Sequence, residues 1–239
     1  MVEFAAWPAS VGPEMASELP AQSGRPPVSA RGVRTREALV RAAREVFERD
    51  GFLEARIADI AAAAGVATGS FYTYFASKED AFAAVIDEVS EEMLHPRLRE
   101  LADRDDPVSV IEATNRSYLV AYRRNARLMA LMEQVAQIDD QFLRARLRRV
   151  RAFTDRNADA IAQLQRRGLA DPELDPRLAA EALSAMVGRV AYFRYVHRFN
   201  NASVDSLAKT LTRLWAGALG IPIAPARRAK RSHPSKPRR

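Results

Sequence analysis

A run of uncharged hydrogen-bonding side chains lies between residues 67 and 75. The residues that contribute hydroxyl groups to it are Thr68, Ser70, Tyr72, Thr73 and Tyr74. Phe71 and Phe75 stand four residues apart within the same run, which places both on one face of a helix and leaves the hydroxyl groups pointing largely elsewhere. Uncharged groups of this kind suit the phosphates and base edges of nucleic acid.

Two short helices joined by a turn would present these side chains. Ile57, Ile60 and Ala64 follow the spacing of one narrow apolar stripe, as the first of the two helices requires. Gly65 comes directly after this stripe, and glycine readily takes the left-handed conformation that ends a helix and turns the chain. The pattern therefore predicts a helix-turn-helix, an arrangement that offers its second helix to the major groove of DNA.

Further helices are predicted on both sides of this unit. Apolar residues keep helical spacing from residue 35 to 50, and Gly51 is expected to end that helix. Ser77, with Asp80 three residues later, forms a capping box that begins a fourth helix, which is expected to run to about Leu94. The first helix would brace the helix-turn-helix, and the fourth would join it to the rest of the chain.

These residues carry a resemblance to a known family. The segment from Thr35 to about Val89 resembles the DNA-binding domain of TetR-family transcriptional regulators. The matching residues are Ala43, Phe47, Gly51, Phe52, Ile57, Asp59, Ile60, Ala61, Ala64, Gly65, Val66, the run from Gly69 to Phe75, Ser77, Lys78, Glu79 and Phe82. The resemblance implies double-stranded DNA with a pseudo-palindromic operator as partner, a homodimeric protein, and a role in transcription, most simply as a repressor.

The resemblance also implies roles for single residues. The backbone at Gly69 would approach DNA closely and the residues beside it would read bases, while Tyr72, Tyr74 and Lys78 would contact phosphates. The predicted DNA-binding residues are Arg56, Ala67, Thr68, Gly69, Ser70, Tyr72, Thr73, Tyr74 and Lys78.

Arg56 departs from the family pattern, which usually has a Ser or Thr there that caps the next helix. Arginine has no side-chain acceptor for that bond. Two interpretations stay open: the guanidinium contacts a phosphate instead, or it is a solvated surface group.

The remainder of the chain shows no alternating strand pattern, so the predicted fold is all-α: an N-terminal three-helix DNA-binding domain followed by a helical ligand-binding and dimerisation domain. Later helices are expected at about 107–124, 126–138, 140–167, 176–198 and 203–218. The predicted regions are a disordered arm at 1–33, the helix-turn-helix domain at 35–80, the effector-binding and dimerisation domain at 81–220, and a basic disordered tail at 221–239.

The last two helices have apolar stripes wider than one buried face requires. Pairing with their symmetry mates would form a four-helix interface, as the resemblance also implies. The alternative is that both helices are ordinary core of a monomer. The predicted interface residues are Ser184, Val187, Gly188, Ala191, Leu207, Leu211, Leu214 and Trp215. A dimer would place two recognition helices in major grooves about 34 Å apart.

The middle helices contain apolar residues with a few polar ones among them, a combination typical of ligand cavities and also of ordinary core. The predicted lining residues are Tyr118, Tyr122, Met129, Met132, Phe153 and Asn157. The resemblance implies that a small, largely apolar effector binds there. The alternative is a DNA-binding protein without an effector, acting constitutively or as an architectural protein. Five arginines between 144 and 151 spread over more than one helix face, which favours a solvated exterior over a site for an anionic ligand.

Composition limits the other classes of function. The last 13 residues carry seven basic side chains and no acidic one, which equals the net charge of +7 for the whole chain, so the body is balanced and its charge does not by itself indicate nucleic-acid binding. The tail either adds nonspecific attraction to DNA or is simply solvated.

The sequence contains no phosphate-binding loop, nucleophile elbow, cysteine or metal-ligand spacing. It therefore predicts no catalytic residue, no metal and no cofactor. The sequence contains no cysteine, no apolar run long enough to span a bilayer and no signal-peptide pattern. These observations favour a cytoplasmic protein without membrane contact.

Overall fold

The structure of the protein is a computed structural model, which describes residues 29–94 and 106–223. Within these ranges the fold is all-α, as predicted. The helices are α1 (Ala30–Asp50), α2 (Ile57–Ala63), α3 (Thr68–Phe71), α4 (Lys78–Leu94), α5 (Pro107–Arg124), α6 (Ala126–Ile138), α7 (Asp140–Arg166), α8 (Pro176–Tyr195) and α9 (Val204–Ala218).

The folded part extends beyond the predicted boundaries at both ends. Helix α1 begins at Ala30 rather than Thr35 because the side chain of Ser29 accepts a hydrogen bond from the backbone N–H of Gly32, at 3.1 Å. Ile221 is buried, and its N–H donates to the carbonyl of Ala216 at 2.8 Å, so the predicted tail starts too early. The remaining parts of the predicted arm and tail, 1–28 and 224–239, lie outside the described residues.

The first hydrophobic core joins α1 to α4 with α6 and the start of α7. The ring of Phe82 on α4 lies 5.0 Å from that of Phe47 on α1 and 5.4 Å from that of Phe142 on α7, measured between centroids. Leu128 and Val135 of α6 are fully buried in the same core. The helix-turn-helix unit therefore shares its core with later helices, and residue 80 does not separate two independent cores.

The second core is formed by α5, α7, α8 and α9. Helix α9 packs against α5, and α8 packs against α7. Leu119, Ala180 and Ala208 are completely buried there. Met93 on α4 and Met129 on α6 pack against both cores, so the two cores are continuous at this point.

The corner between α5 and α6 is tied to the N-terminal helices by a buried asparagine. Asn125 is fully buried, and its Oδ1 accepts a hydrogen bond from the guanidinium of Arg44 on α1 at 2.6 Å. Its Nδ2 donates to the carboxylate of Glu92 on α4 at 3.1 Å and to the carbonyl of Ala121 at 2.9 Å. One side chain thus connects α1, α4 and α5.

Candidate DNA-binding surface and interior cavity

The turn between α2 and α3 has the geometry that the sequence predicted. Gly65 has φ +70°, in the left-handed region that glycine favours, and the N–H of Val66 donates to the carbonyl of Ala61 at 3.0 Å. Phe71 is completely buried and Phe75 is 3% exposed. The two phenylalanines therefore fix α3 onto the first core.

Helix α3 is shorter than expected. Regular helix ends at Phe71 rather than Phe75, and the chain continues in tight turns. The N–H groups of Tyr74 and Phe75 both donate to the carbonyl of Phe71, at 2.9 Å and 3.0 Å. These bonds keep residues 72–75 in a defined conformation even though they are not part of the helix.

The outward side of this segment is open and uncharged. Ala67, Thr68, Gly69, Tyr72 and Thr73 are exposed. A Cβ atom placed on Gly69 would meet no other atom within 4 Å, so nothing covers the backbone there. The remaining predicted residues of the run, Ser70 and Tyr74, are half-buried. The structure therefore brings the predicted base-reading residues together on one accessible surface.

The two basic residues predicted to contact DNA have different surroundings. Arg56 is exposed at the start of α2, and its side chain makes no capping bond, as its chemistry requires. The ammonium of Lys78 donates to the carbonyls of Leu53 and Ala55, each at 3.1 Å, and lies 4.8 Å from the ring centroid of Phe52. Lys78 therefore holds the loop between α1 and α2, and its phosphate contact stays a prediction.

A narrow cavity of about 40 Å³ lies within the second core. Its lining residues come from α5, α7, α8 and α9: Ile111, Thr114, Asn115, Tyr118, Phe153, Asn157, Ser184, Val187 and Trp215. Three of the predicted lining residues, Tyr118, Phe153 and Asn157, meet there. The other six lining residues come from helix faces that periodicity alone could not orient towards one another.

The other three predicted lining residues lie elsewhere. Tyr122 is buried beside the cavity, with its ring 5.8 Å from that of Tyr118. Met132 packs against the first core, and Met129 packs against both cores. These three residues therefore do not line this cavity, and their contact with a ligand stays a prediction.

The lining combines apolar surface with uncharged polar groups. Asn157 donates to the hydroxyl of Ser184 at 2.9 Å, and Asn115 donates to the hydroxyl of Thr212 at 3.3 Å. Burial raises the pKa of the Tyr118 hydroxyl, so it stays protonated at neutral pH. A site of this kind recognises a ligand by shape and by a few hydrogen bonds.

Comparison with known proteins identifies the family. Residues 39–85 match the bacterial regulatory proteins of the tetR family, and residues 108–221 match the tetracyclin repressor-like C-terminal domain. The HTH-type transcriptional regulator TtgR of Pseudomonas putida is 30% identical to this chain over 162 residues, which cover 64% of this chain and 76% of TtgR. The chain belongs to the TetR family of DNA-binding transcriptional regulators.

Solved structures show the same fold. The fatty acid degradation regulator FadR of Bacillus halodurans superposes with a TM-score of 0.64 at 21% identity, over 77% of this chain and 98% of FadR. SmeT, the repressor of the Stenotrophomonas maltophilia multidrug efflux pump SmeDEF, superposes with a TM-score of 0.62 at 23% identity, over 77% of this chain and 91% of SmeT.

Most residues predicted to form the dimer interface of this TetR-family regulator lie inside the monomer. Val187, Ala191, Leu207, Leu211 and Trp215 are each at most 9% exposed, so they face the interior of the single chain, and their contact with a second chain stays a prediction. The reason is that the wide apolar stripes of α8 and α9 are covered by α7 and α5 of the same chain.

The other three predicted interface residues differ from this group. Ser184 lines the cavity, and a Cβ atom on Gly188 would lie 3.4 Å from the hydroxyl of Tyr118, so both residues face inwards. Leu214 is 50% exposed, and its interface role stays a prediction.

Helices α8 and α9 of this regulator each have an outer face that is exposed in the single chain. The exposed residues recur at helical spacing: Leu178, Ala182, Ala185, Arg189 and Phe193 on α8, and Thr210, Leu214, Gly217 and Ala218 on α9. We call this set the outer α8–α9 face. The small residues of this set, Ala182, Ala185, Gly217 and Ala218, would let another pair of helices approach closely.

An ion pair connects α4 to α7. Arg149 on α7 donates through Nε to the carboxylate of Asp87 on α4 at 2.8 Å. Burial raises the pKa of Asp87 although the charge of Arg149 opposes this shift. Phe153, which lines the cavity, lies one helical turn after Arg149. Of the five arginines expected on a solvated exterior, Arg144, Arg148 and Arg151 are exposed, whereas Arg146 and Arg149 are half-buried in ion pairs.

Two further findings concern the described parts of the regulator. Residues 29–94 and 106–223 contain no group of three or more side chains that could hold a metal ion. No helix in these ranges combines the length and the apolar character needed to cross a bilayer.

Proposed function

We propose that this protein is a cytoplasmic homodimeric repressor that binds an inverted-repeat operator and is released from it by a small, largely apolar ligand. The observation that carries the proposal is the exposed, uncharged surface at residues 67–73, held by the buried side chains of Phe71 and Phe75. A rigid surface that combines hydroxyl groups with an uncovered glycine suits close contact with base edges and phosphates.

Within this surface the proposed contacts divide into two kinds. Thr68, Ser70 and Thr73 read base pairs, and Ala67 and Gly69 let the backbone approach the groove. The hydroxyl groups of Tyr72 and Tyr74 bind phosphates, as do Arg56 and Lys78. Phosphate contacts contribute affinity for any sequence, whereas base contacts contribute preference.

A dimer follows from the geometry of duplex DNA. Two recognition helices reach successive major grooves only if they are about 34 Å apart. The outer α8–α9 face supports this assembly, since its apolar and small residues are exposed in the single chain. Pairing this face with its symmetry mate would form a four-helix interface and leave the helix-turn-helix units free.

Release by a ligand requires a physical link between cavity and DNA-binding helices. A ligand that separates the helices around the cavity displaces Phe153, and the ion pair between Arg149 and Asp87 transmits this movement to α4. Since α4 shares its core with α1 to α3, the separation of the two recognition surfaces changes. The coupling needed is modest, about 1 to 3 kcal/mol.

The narrowness of the cavity favours the alternative that this protein binds DNA without a small-molecule effector. A volume of about 40 Å³ is far below the roughly 300 to 1,000 Å³ of cavities that hold drug-sized ligands. A constitutive or architectural DNA-binding protein would need no larger space. Operator binding that responds to no small molecule, in a protein that binds DNA specifically, would favour this alternative.

The proposal is tested first by selecting genomic fragments that bind the purified protein in competition with random DNA. Recovery of one inverted repeat is expected. Enrichment of no fragment over the competitor would contradict the regulator function.

Single substitutions then test how the surface is placed on the selected operator. Tyr72→Ala should weaken binding to all sequences about equally, because it removes a phosphate contact. Thr73→Val should relax the preference at particular base pairs, where the discrimination lost is about 1 to 3 kcal/mol per base pair. Fluorescence anisotropy at fixed salt measures both, with thermal unfolding as the control for folding. Unchanged operator affinity in Tyr72→Ala would mean that the surface is placed wrongly.

A further inference from the structure

One hydrogen-bond donor in the cavity wall has no partner. Trp215 on α9 lines the cavity and is only 9% exposed, and its Nε1 contacts no acceptor among the described residues. Buried donors are nearly always paired, since an unmade bond leaves the loss of hydration uncompensated. The indole N–H therefore has a hydrogen-bonding capacity that the protein itself does not use.

The two side-chain amide groups of the lining each donate a hydrogen bond within the protein. The side chain of Asn157 donates to Ser184, and that of Asn115 donates to Thr212, which lies one turn before Ala216 on α9. Among the buried side-chain nitrogen and oxygen atoms of the lining, Trp215 Nε1 is the one that has no partner in the described part of the chain. A ligand acceptor placed near Nε1 would make a bond that the protein itself does not make.

The charged groups near the cavity are held by other partners. Glu133 and Arg146 act electrostatically on Tyr118, but they are joined to each other in an ion pair at 2.5 Å. The guanidinium of Arg156 lies over the ring of Phe153, 5.5 Å from its centroid. No charged side chain is part of the lining itself, so a charged ligand would lose hydration without direct compensation.

We propose that the effector is an uncharged, mostly apolar molecule with a carbonyl or ether oxygen that accepts a hydrogen bond from Trp215 Nε1. This inference rests on the proposed function and specifies the chemical class of its ligand. Trp215 is then the residue that distinguishes such molecules from pure hydrocarbons of the same shape. The uncharged lining distinguishes them from carboxylates.

The experiment compares three molecules of similar size: acetophenone, ethylbenzene and benzoate. Acetophenone has a neutral acceptor, ethylbenzene has none, and benzoate is an anion. The first readout is the indole N–H signal of Trp215 in a nitrogen-15 NMR spectrum of the full-length protein. The chain has two tryptophans, Trp7 and Trp215, and a Trp7→Phe variant assigns the two signals. Acetophenone is expected to move the Trp215 proton downfield, whereas ethylbenzene leaves it without that shift.

The second readout is affinity, measured by calorimetry or by titration of the NMR signals. In the unaltered protein, acetophenone should bind more tightly than ethylbenzene. Trp215→Phe should lower the ratio of these two affinities by roughly two- to tenfold, as expected for the loss of one hydrogen bond. Trp215→Phe keeps an aromatic ring in the core while it removes the donor. Benzoate should bind more weakly than acetophenone to both proteins.

Three outcomes would overturn the inference. Tightest binding of benzoate would show that a cation such as Arg156 captures an anion instead. Equal movement of the Trp215 signal by acetophenone and ethylbenzene would show that the indole makes no specific bond. Binding of none of the three would mean that the cavity does not open for this class. If Trp215→Phe does not fold, the NMR comparison on unaltered Trp215 still decides.

Failure of this inference is distinguishable from failure of the proposed function. Selection of an operator from genomic DNA does not depend on the cavity. A protein that selects one inverted repeat but binds none of these molecules contradicts only the ligand class. A protein that binds acetophenone at Trp215 but selects no DNA contradicts the proposed regulator.

Discussion

The ammonium of Lys78 occupies a position where one side chain can serve both architecture and DNA binding. It donates to the carbonyls of Leu53 and Ala55 and lies over the ring of Phe52. These contacts hold the loop that leads into α2 at the edge of the proposed DNA-binding surface. A substitution here would therefore change stability as well as DNA affinity.

Lys78→Met tests the architectural role, since methionine keeps an unbranched apolar stem but has no donor. We expect the free energy of unfolding to fall by about 1 to 2 kcal/mol, because two carbonyls lose a charged donor. Urea denaturation measures this loss. Lys209→Met on the exposed side of α9 is the matched control and should change stability by less than about 0.5 kcal/mol. Equal stability of the two variants would contradict the role of Lys78 in the loop.

At the scale of the elements, α4 is the part that both functions share. Its side chains complete the first core, and Asp87 joins it to Arg149 on α7. Asn125 at the start of α6 adds a second connection, through Glu92. A movement of α5 or α7 is therefore difficult to make without a movement of α4, which is what ligand release requires.

Arg149→Met should destabilise the protein in a manner that depends on pH. Burial already raises the pKa of Asp87 above its usual 3.8, and loss of the neighbouring cation raises it further. An acid whose folded-state pKa is raised loses stability as pH rises from the unfolded-state value through the folded-state value. The loss in free energy of unfolding should therefore be small near pH 4 and reach about 1 to 3 kcal/mol at pH 7.5.

Denaturant titrations at the two pH values check this expectation. Arg148→Met is the control, because Arg148 is the exposed neighbour of Arg149 on the same helix. A loss in Arg149→Met that does not change between pH 4 and pH 7.5 would contradict the stated role of Asp87.

At the scale of the whole molecule, the outer α8–α9 face determines whether two recognition surfaces can act together. Leu214→Glu places a charge on this face and should convert the proposed dimer to monomers, with a large loss of operator affinity. Analytical ultracentrifugation measures the first effect and DNA binding the second. Leu147→Glu on α7 is the matched control, since Leu147 is 48% exposed and Leu214 is 50% exposed. Dissociation by Leu147→Glu alone would place the interface on α7.

The sequence by itself determined the features that depend on nearby residues. The left-handed Gly65 and the burial of Phe71 and Phe75 follow from the spacing of nearby residues. The start of α4 after Ser77 does so too, since the hydroxyl of Ser77 accepts a hydrogen bond from the N–H of Asp80. Helical periodicity and capping residues are local properties, so they could be recognised without knowledge of the fold. The helix-turn-helix and the all-α class were therefore predictable.

Only the tertiary structure decided how faces of distant helices meet. The apolar stripes of α8 and α9 were visible in the sequence, but α7 and α5 of the same chain cover them, and Trp215 consequently lies at a cavity instead of an interface. Met129 and Met132 of α6 likewise pack against the first core, and Met129 also packs against the second. A periodic pattern shows which face of a helix is apolar, whereas the partner of that face depends on the packing of elements far apart in the chain.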